Sequence, residues 1–129
     1  MAAEIVAALT ELSSEIRRVA LVAADGKVLA VSSGADGERL ARVAAELFDL
    51  SETTAPSDAS IVDVRVDLPE GGVIACRDAG RIAVATTTPE PAAALVLHDL
   101  RTCLGRLDEA DRPRRRRRPA ARVEVDADA

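Results

Sequence analysis

Val19-Ala20-Leu21-Val22-Ala23-Ala24-Asp25-Gly26-Lys27-Val28-Leu29-Ala30-Val31-Ser32 decides the fold. Val19 to Ala23 and Lys27 to Ser32 are two strand-forming runs, and the Ala24-Asp25-Gly26 between them is a tight-hairpin signal. The first run is apolar on both faces. A strand of that kind needs cover above and below, so the sheet it belongs to carries helices on each face.

Upstream, Ile5, Leu9, Leu12 and Ile16 recur at helical spacing and predict a helix over residues 2–13, ended by Ser13-Ser14. Downstream, Ser33-Gly34-Ala35-Asp36-Gly37 breaks the chain and offers capping side chains to a second helix over residues 38–52. On that helix Glu38, Arg39, Arg42, Glu46 and Asp49 form one polar arc. Leu40, Ala41, Val43, Ala44, Ala45, Leu47, Phe48 and Leu50 fill the remaining surface, roughly 220° at 100° per residue, where packing on one sheet needs only about 100°. The surplus predicts a second buried contact, and Ala41 and Ala45 are small enough to let another backbone come close.

After a loop around Pro56, residues 61–68 alternate, with Val62, Val64, Val66 and Leu68 on one face and Asp63, Arg65 and Asp67 on the other. Pro69-Glu70-Gly71-Gly72 turns the chain into Val73 to Arg77, and Asp78-Ala79-Gly80 turns it into Arg81 to Thr88. Pro89-Glu90-Pro91 is expected to start a third helix, whose apolar face runs from Ala92 and Ala93 through Val96, Leu97, Leu100, Cys103 and Leu104 to Leu107. The expected order is α-β-β-α-β-β-β-α: an α/β chain of the α+β type, with a five-stranded antiparallel sheet and helices on both faces. Residues 1–107 are expected to form one domain. Residues 108–129, with Pro113 and Pro119 bracketing Arg114, Arg115, Arg116, Arg117 and Arg118, are expected to be a disordered tail, Arg-rich and then acidic.

Composition narrows the function. At 129 residues and 48% hydrophobic the chain suits one core, yet Phe48 is its sole aromatic residue, which removes most ligand-gripping and base-stacking chemistry. The net charge of −5 divides into −6 over residues 1–107 and +1 over residues 108–129, so the body is unsuited to nucleic acid. No apolar stretch approaches the roughly 20 residues of a membrane span. Cys76 and Cys103 form no CxxC pair and no signal sequence opens the chain, so reduced thiols and a cytoplasmic location are expected.

Reactive side chains do not cluster in the sequence. His98 lies on the polar arc of the third helix without a partner at helical spacing, and Cys76 and Cys103 read as small core residues. Gly71-Gly72 belongs to a hairpin and opens no helix, so it is not a phosphate loop. The carboxylate pairs Asp63/Asp67 and Glu46/Asp49 are of a kind that strand and helix surfaces carry routinely. No catalytic residue, metal site or cofactor is expected. Arg114 to Arg118 would gain about 1 kcal/mol each near an anionic lipid surface, or would meet an acidic partner; the plainer reading is a solvated segment offset by neighbouring acids.

The stretch Val19 to Ser32, between a helix and an Ala/Leu-rich helix, resembles the roadblock family that includes dynein light chains. Leu68-Pro-Glu-Gly-Gly-Val73, Arg81-Ile-Ala-Val-Ala-Thr86 and the closing helix continue the resemblance over about residues 3–107. It implies a homodimer in which the second helices pack antiparallel and the third strands pair edge to edge, through Leu40, Ala41, Val43, Ala44, Leu47 and Phe48 together with Val62, Asp63, Val64, Arg65 and Val66. Bacterial members look like partners of small Ras-like GTPases, some of which they stimulate by repositioning the GTPase's own residues; the family lends no catalytic residue here. Docking is expected through Arg39, Arg42, Glu46 and Asp49 on the paired second helices. Opposite charges favour a strand register with Val64 near the two-fold axis and Asp63 facing the other copy's Arg65. A small-molecule sensor and a purely structural assembly subunit are the competing readings.

Overall fold

The computed structural model describes residues 1–57 and 60–111. Its elements are α1 (Ala2–Leu12), β1 (Ile16–Val22), β2 (Val28–Val31), α2 (Gly37–Thr54), β3 (Asp63–Leu68), β4 (Gly71–Asp78), β5 (Arg81–Thr87) and α3 (Ala93–Asp111), in the expected order. The five strands form one antiparallel sheet in the order β2-β1-β5-β4-β3.

β1 is buried without interruption from Val19 to Val22, as a strand with helices on both faces must be. On one face α1 and α3 place Ile5, Val6, Leu9, Val96, Leu100 and Leu104 over Val19, Leu21, Ile74 and Ala85. On the other face α2 alone sets Leu40, Ala44 and Phe48 against Ala20, Ala75 and Val84. Alanines beneath a helix leave room for one large ring, and Phe48 occupies it at 1% exposure.

The β1–β2 hairpin closes through Ala23 N–H to the Lys27 carbonyl at 2.8 Å and Gly26 N–H to the Ala23 carbonyl at 2.9 Å, with Gly26 at φ 91°. Asp25 Oδ1 accepts from the Lys27 N–H at 3.0 Å. The Asp-Gly signal thus acts through an Asx contact followed by a left-handed glycine.

Three boundaries differ from expectation. Ile16 belongs to β1, opposite Thr87, rather than to the helical seam, and Leu12 at the end of α1 is 83% exposed. The extended Ser13 cap swings the chain off the helix before Ile16 can follow the seam. Pro89-Glu90-Pro91 precedes α3 as a turn with Glu90 at φ 53°, and the Ala92 N–H is held by the Glu15 carboxylate at 3.1 and 3.2 Å. α3 also runs past Leu107 to Asp111, so residues 108–111 are helical and not tail; Arg81 pairs with Asp111 at that end. Arg114 to Arg118 lie outside the described residues.

Gly71 sits at φ 153°, and a Cβ there would lie 2.3 Å from the Thr87 carbonyl oxygen on the adjacent strand β5. Gly71→Ala is therefore expected to lower the unfolding free energy by about 1–3 kcal/mol, seen as a lower urea midpoint with an unchanged slope.

Candidate interaction surface

Asp36 caps α2, its Oδ1 accepting from the Arg39 N–H at 3.1 Å, which satisfies a first-turn donor and fixes where the helix starts. With Leu40, Ala44 and Phe48 turned onto the sheet, the other apolar positions fall on two flanks. Val43 borders a groove of about 350 Å³ with Leu40, Val73 and Thr86, and Leu47 is also half-buried. Leu50, beyond them, is 62% exposed. On the opposite flank Ala41 and Ala45 border a cleft of about 640 Å³ toward the β1–β2 hairpin. Arg39, Arg42, Glu46 and Asp49 are all exposed on the outward side of α2.

Of the residues expected at a helix–helix seam, three pack inward on this chain's own sheet. Leu40, Ala44 and Phe48 are sealed in this chain's own core, because a single sheet takes up more of the apolar arc than the wheel alone assigns to it. Ala41, Val43 and Leu47 keep partial exposure.

β3 is an edge of the sheet. Val64 packs toward α2, so Val62, Val66 and Leu68, at alternating positions, share that face, and Val62 and Leu68 remain 51% and 48% exposed. On the other face Asp63 pairs with Arg101 of α3, and Arg65 Nε bonds Asp67 Oδ1 at 2.9 Å. Both charges of the expected two-copy register, Asp63 and Arg65, thus also have partners within the chain.

Arg77 joins the two elements. Its guanidinium carbon stands 4.4 Å from the centroid of the Phe48 ring, its Nε donates to the Ile61 carbonyl at 2.9 Å, and its Nη2 pairs with Glu52. The Arg77 backbone N–H also donates to the Val62 carbonyl at 2.9 Å. One side chain therefore ties the end of α2 to the entry of β3. Sequence reading missed it, since an Arg at a strand end reads as solvated; its signal was its alternation with Val73 and Ala75 on the face that meets α2. Arg77→Ala is expected to cost about 1–3 kcal/mol through the lost cation–π and charge-assisted contacts. Hydrogen exchange should quicken first at residues 61–64, and unchanged exchange there would count against the tie.

Burial pushes the Cys76 thiol up to about 12 and raises that of Cys103 as well, the opposite of what a nucleophilic thiol needs. Both thiols are free and buried. His98 is exposed on α3. Among the described residues no three His, Cys, Asp or Glu side chains gather where they could hold a metal, and no helix is long and apolar enough to cross a membrane.

A sheet backed by two helices on one face and by one on the other, with a half-exposed apolar edge strand, defines an α+β sandwich whose conspicuous feature is a surface. Among solved structures this architecture is that of the roadblock domains. The chain superposes on the Roadblock/LC7 domain from Streptomyces avermitilis with a TM-score of 0.72 at 16% identity, covering 84% of this chain and 95% of that one. Myxococcus xanthus MglB matches with a TM-score of 0.62 at 13% identity, over 84% and 95% of the two chains. Acanthamoeba castellanii profilin IB, at a TM-score of 0.61 and 16% identity over 82% and 98%, shares the sandwich. The chain matches no family model and no curated relative in sequence. Its fold is roadblock-like, as the Val19 to Ser32 stretch implied.

Proposed function

We propose that this protein is a non-enzymatic, dimeric interaction module of the bacterial cytoplasm that binds and regulates a small Ras-like GTPase, as activator or scaffold. The observation that carries the proposal is the apolar surface left uncovered on one chain: the Val43, Leu47 and Leu50 flank of α2 and the Val62 to Leu68 edge. Exposed edges and apolar patches of this kind are normally covered by a partner, and the roadblock resemblance implies a second copy. Arg39, Arg42, Glu46 and Asp49 then form a mixed-charge face suited to specificity.

Light scattering at micromolar concentration should give about twice 13.5 kDa; the mass of a single chain would remove the dimer. With the dimer intact, reversing Arg42 and Glu46 together should weaken capture of the cognate GTPase at least tenfold, and undiminished capture would move docking elsewhere. The cleft of about 640 Å³ lies in the size range of ligand pockets, which is the observation favouring a small-molecule sensor, although its lining contains no aromatic residue.

A further inference from the structure

The cleft of about 640 Å³ exists because α2 lacks bulk on one flank. Ala41 and Ala45, one turn apart, border it together with Val22, Val28 and Ile82 of the sheet. At the hairpin turns Ala23, Ala24, Gly26 and Gly80 add little more than backbone to the lining. Gly80 has no room for a side chain on that side, since a Cβ there would stand 2.9 Å from that of Ala24. The result is an apolar trough with an open mouth.

Charge sets this trough apart from the rest of the surface. Lys27, the chain's one Lys, and Arg42 line it with Glu38, two cations against one carboxylate, an excess of +1 on a body whose residues 1–107 total −6. Asp25 and Asp78 belong to the neighbouring turns but not to the lining. Arg65, Arg77, Arg81 and Arg101 each hold a carboxylate, whereas among the described residues neither Lys27 nor Arg42 has one within ion-pairing distance. Asp25 turns its Oδ1 to the Lys27 backbone N–H at 3.0 Å.

We infer that the cleft binds the monoanion of an unbranched aliphatic carboxylic acid, with its carboxylate at Lys27 and Arg42 and its hydrocarbon chain along Val28, Ala41, Ala45 and Ile82. Walls of Val, Ile and Ala give no aromatic face on which a ring could stack, so a flexible chain fits them better. One negative charge cancels the +1 of the lining, where a phosphate dianion would overshoot it, and Arg presents paired N–H donors that match a carboxylate. The cleft lies on the flank of α2 opposite Val43, Leu47 and Leu50, so its occupant leaves the surface offered to a second copy open. Arg42 is shared with the docking face; the ligand is therefore titrated into this protein alone, where failure of the GTPase reading changes nothing.

Sodium decanoate, held well below its micelle concentration, is titrated calorimetrically into the full chain. It should bind saturably at one site per chain, with octanoate at least fivefold weaker for its two missing methylenes. Lys27→Gln/Arg42→Gln should weaken decanoate at least tenfold. Ala45→Phe, which fills the trough from an exposed position of α2, should abolish binding. Hydrogen exchange of the wild type gives a reading that depends on no variant: saturating decanoate should slow residues 22–28 and 41–45 at least threefold and leave residues 96–107 unchanged. Absence of saturable binding overturns the inference, as does equal affinity for decylammonium or undiminished binding in Ala45→Phe. Affinity that rises as the protein is diluted assigns the trough to a second copy and overturns the ligand. Phosphatidylglycerol vesicles that bind the wild type but not Ala45→Phe, with free decanoate silent, assign it to a membrane surface and overturn it equally.

Discussion

Phe48→Ala is expected to lower the unfolding free energy by about 3–5 kcal/mol, the largest effect of any single truncation on the α2 face. Phe48 is the chain's only aromatic residue and the largest of its fully buried side chains. Its neighbours Ala20, Ala44 and Ala75 are too small to collapse into the space, so most of the cavity would persist. The substitution also removes the ring beneath Arg77, leaving that guanidinium with fewer partners at the junction of α2 and β3. Single domains of this size are stable by about 5–15 kcal/mol, so the substitution removes a sizeable share of that stability. Urea titration followed by circular dichroism measures the change; a loss under about 1 kcal/mol would show that the α2 face is not packed as described.

Alkaline destabilisation is the second large effect. Burial pushes the Cys76 thiol from 9.0 up to about 12, against an opposing pull from Arg101, and Cys103 shifts in the same direction. Below pH 9 both states keep their thiol protons. Above it the unfolded chain releases a proton that the folded chain retains, so the unfolding free energy falls by about 1.4 kcal/mol per pH unit for each such thiol. Across the range of Cys76 the loss is on the order of 4 kcal/mol. The profile should be unusually clean, because the chain has no Tyr and Lys27 is its one Lys. Urea midpoints from pH 8 to 11 should fall steadily in the wild type and less steeply in Cys76→Ala; parallel profiles would show that the thiol is solvated.

Sequence patterning reached the architecture because that depends on short-range signals: the doubly apolar Val19 to Val22, the Asp25-Gly26 turn, and the alternation of residues 62–68. It reached the α2 surface only in part. A helical wheel ranks residues by polarity and cannot say how far round a helix one sheet wraps, so Leu40, Ala44 and Phe48 were grouped with residues that remain partly exposed. Long-range ion pairs were illegible for a different reason. Asp63 with Arg101, and Arg77 with Glu52, depend on which helix crosses which strand, and charge spacing along the chain carries no trace of that. Gly71 could be read as a turn residue, but the closeness of the Thr87 carbonyl that makes its lack of a side chain obligatory appears only once β4 and β5 are side by side.

The two edges of the sheet differ in a way that limits how large an assembly it can build. β3 offers six residues in unbroken register with β4, whereas β2 has four, and the β1–β2 ladder is interrupted by a bulge between Leu21 and Val22. Head-to-tail growth of a fibre would require the long edge of one molecule to zip onto the short edge of the next, and those two do not match in length or twist. Joining like edges about a two-fold axis instead uses up the long edge on both molecules and leaves only blunt ends outward. Edge-to-edge association through β3 would therefore terminate at a closed pair, and a variant that lengthened β2 or straightened its bulge would be the one to watch for filaments.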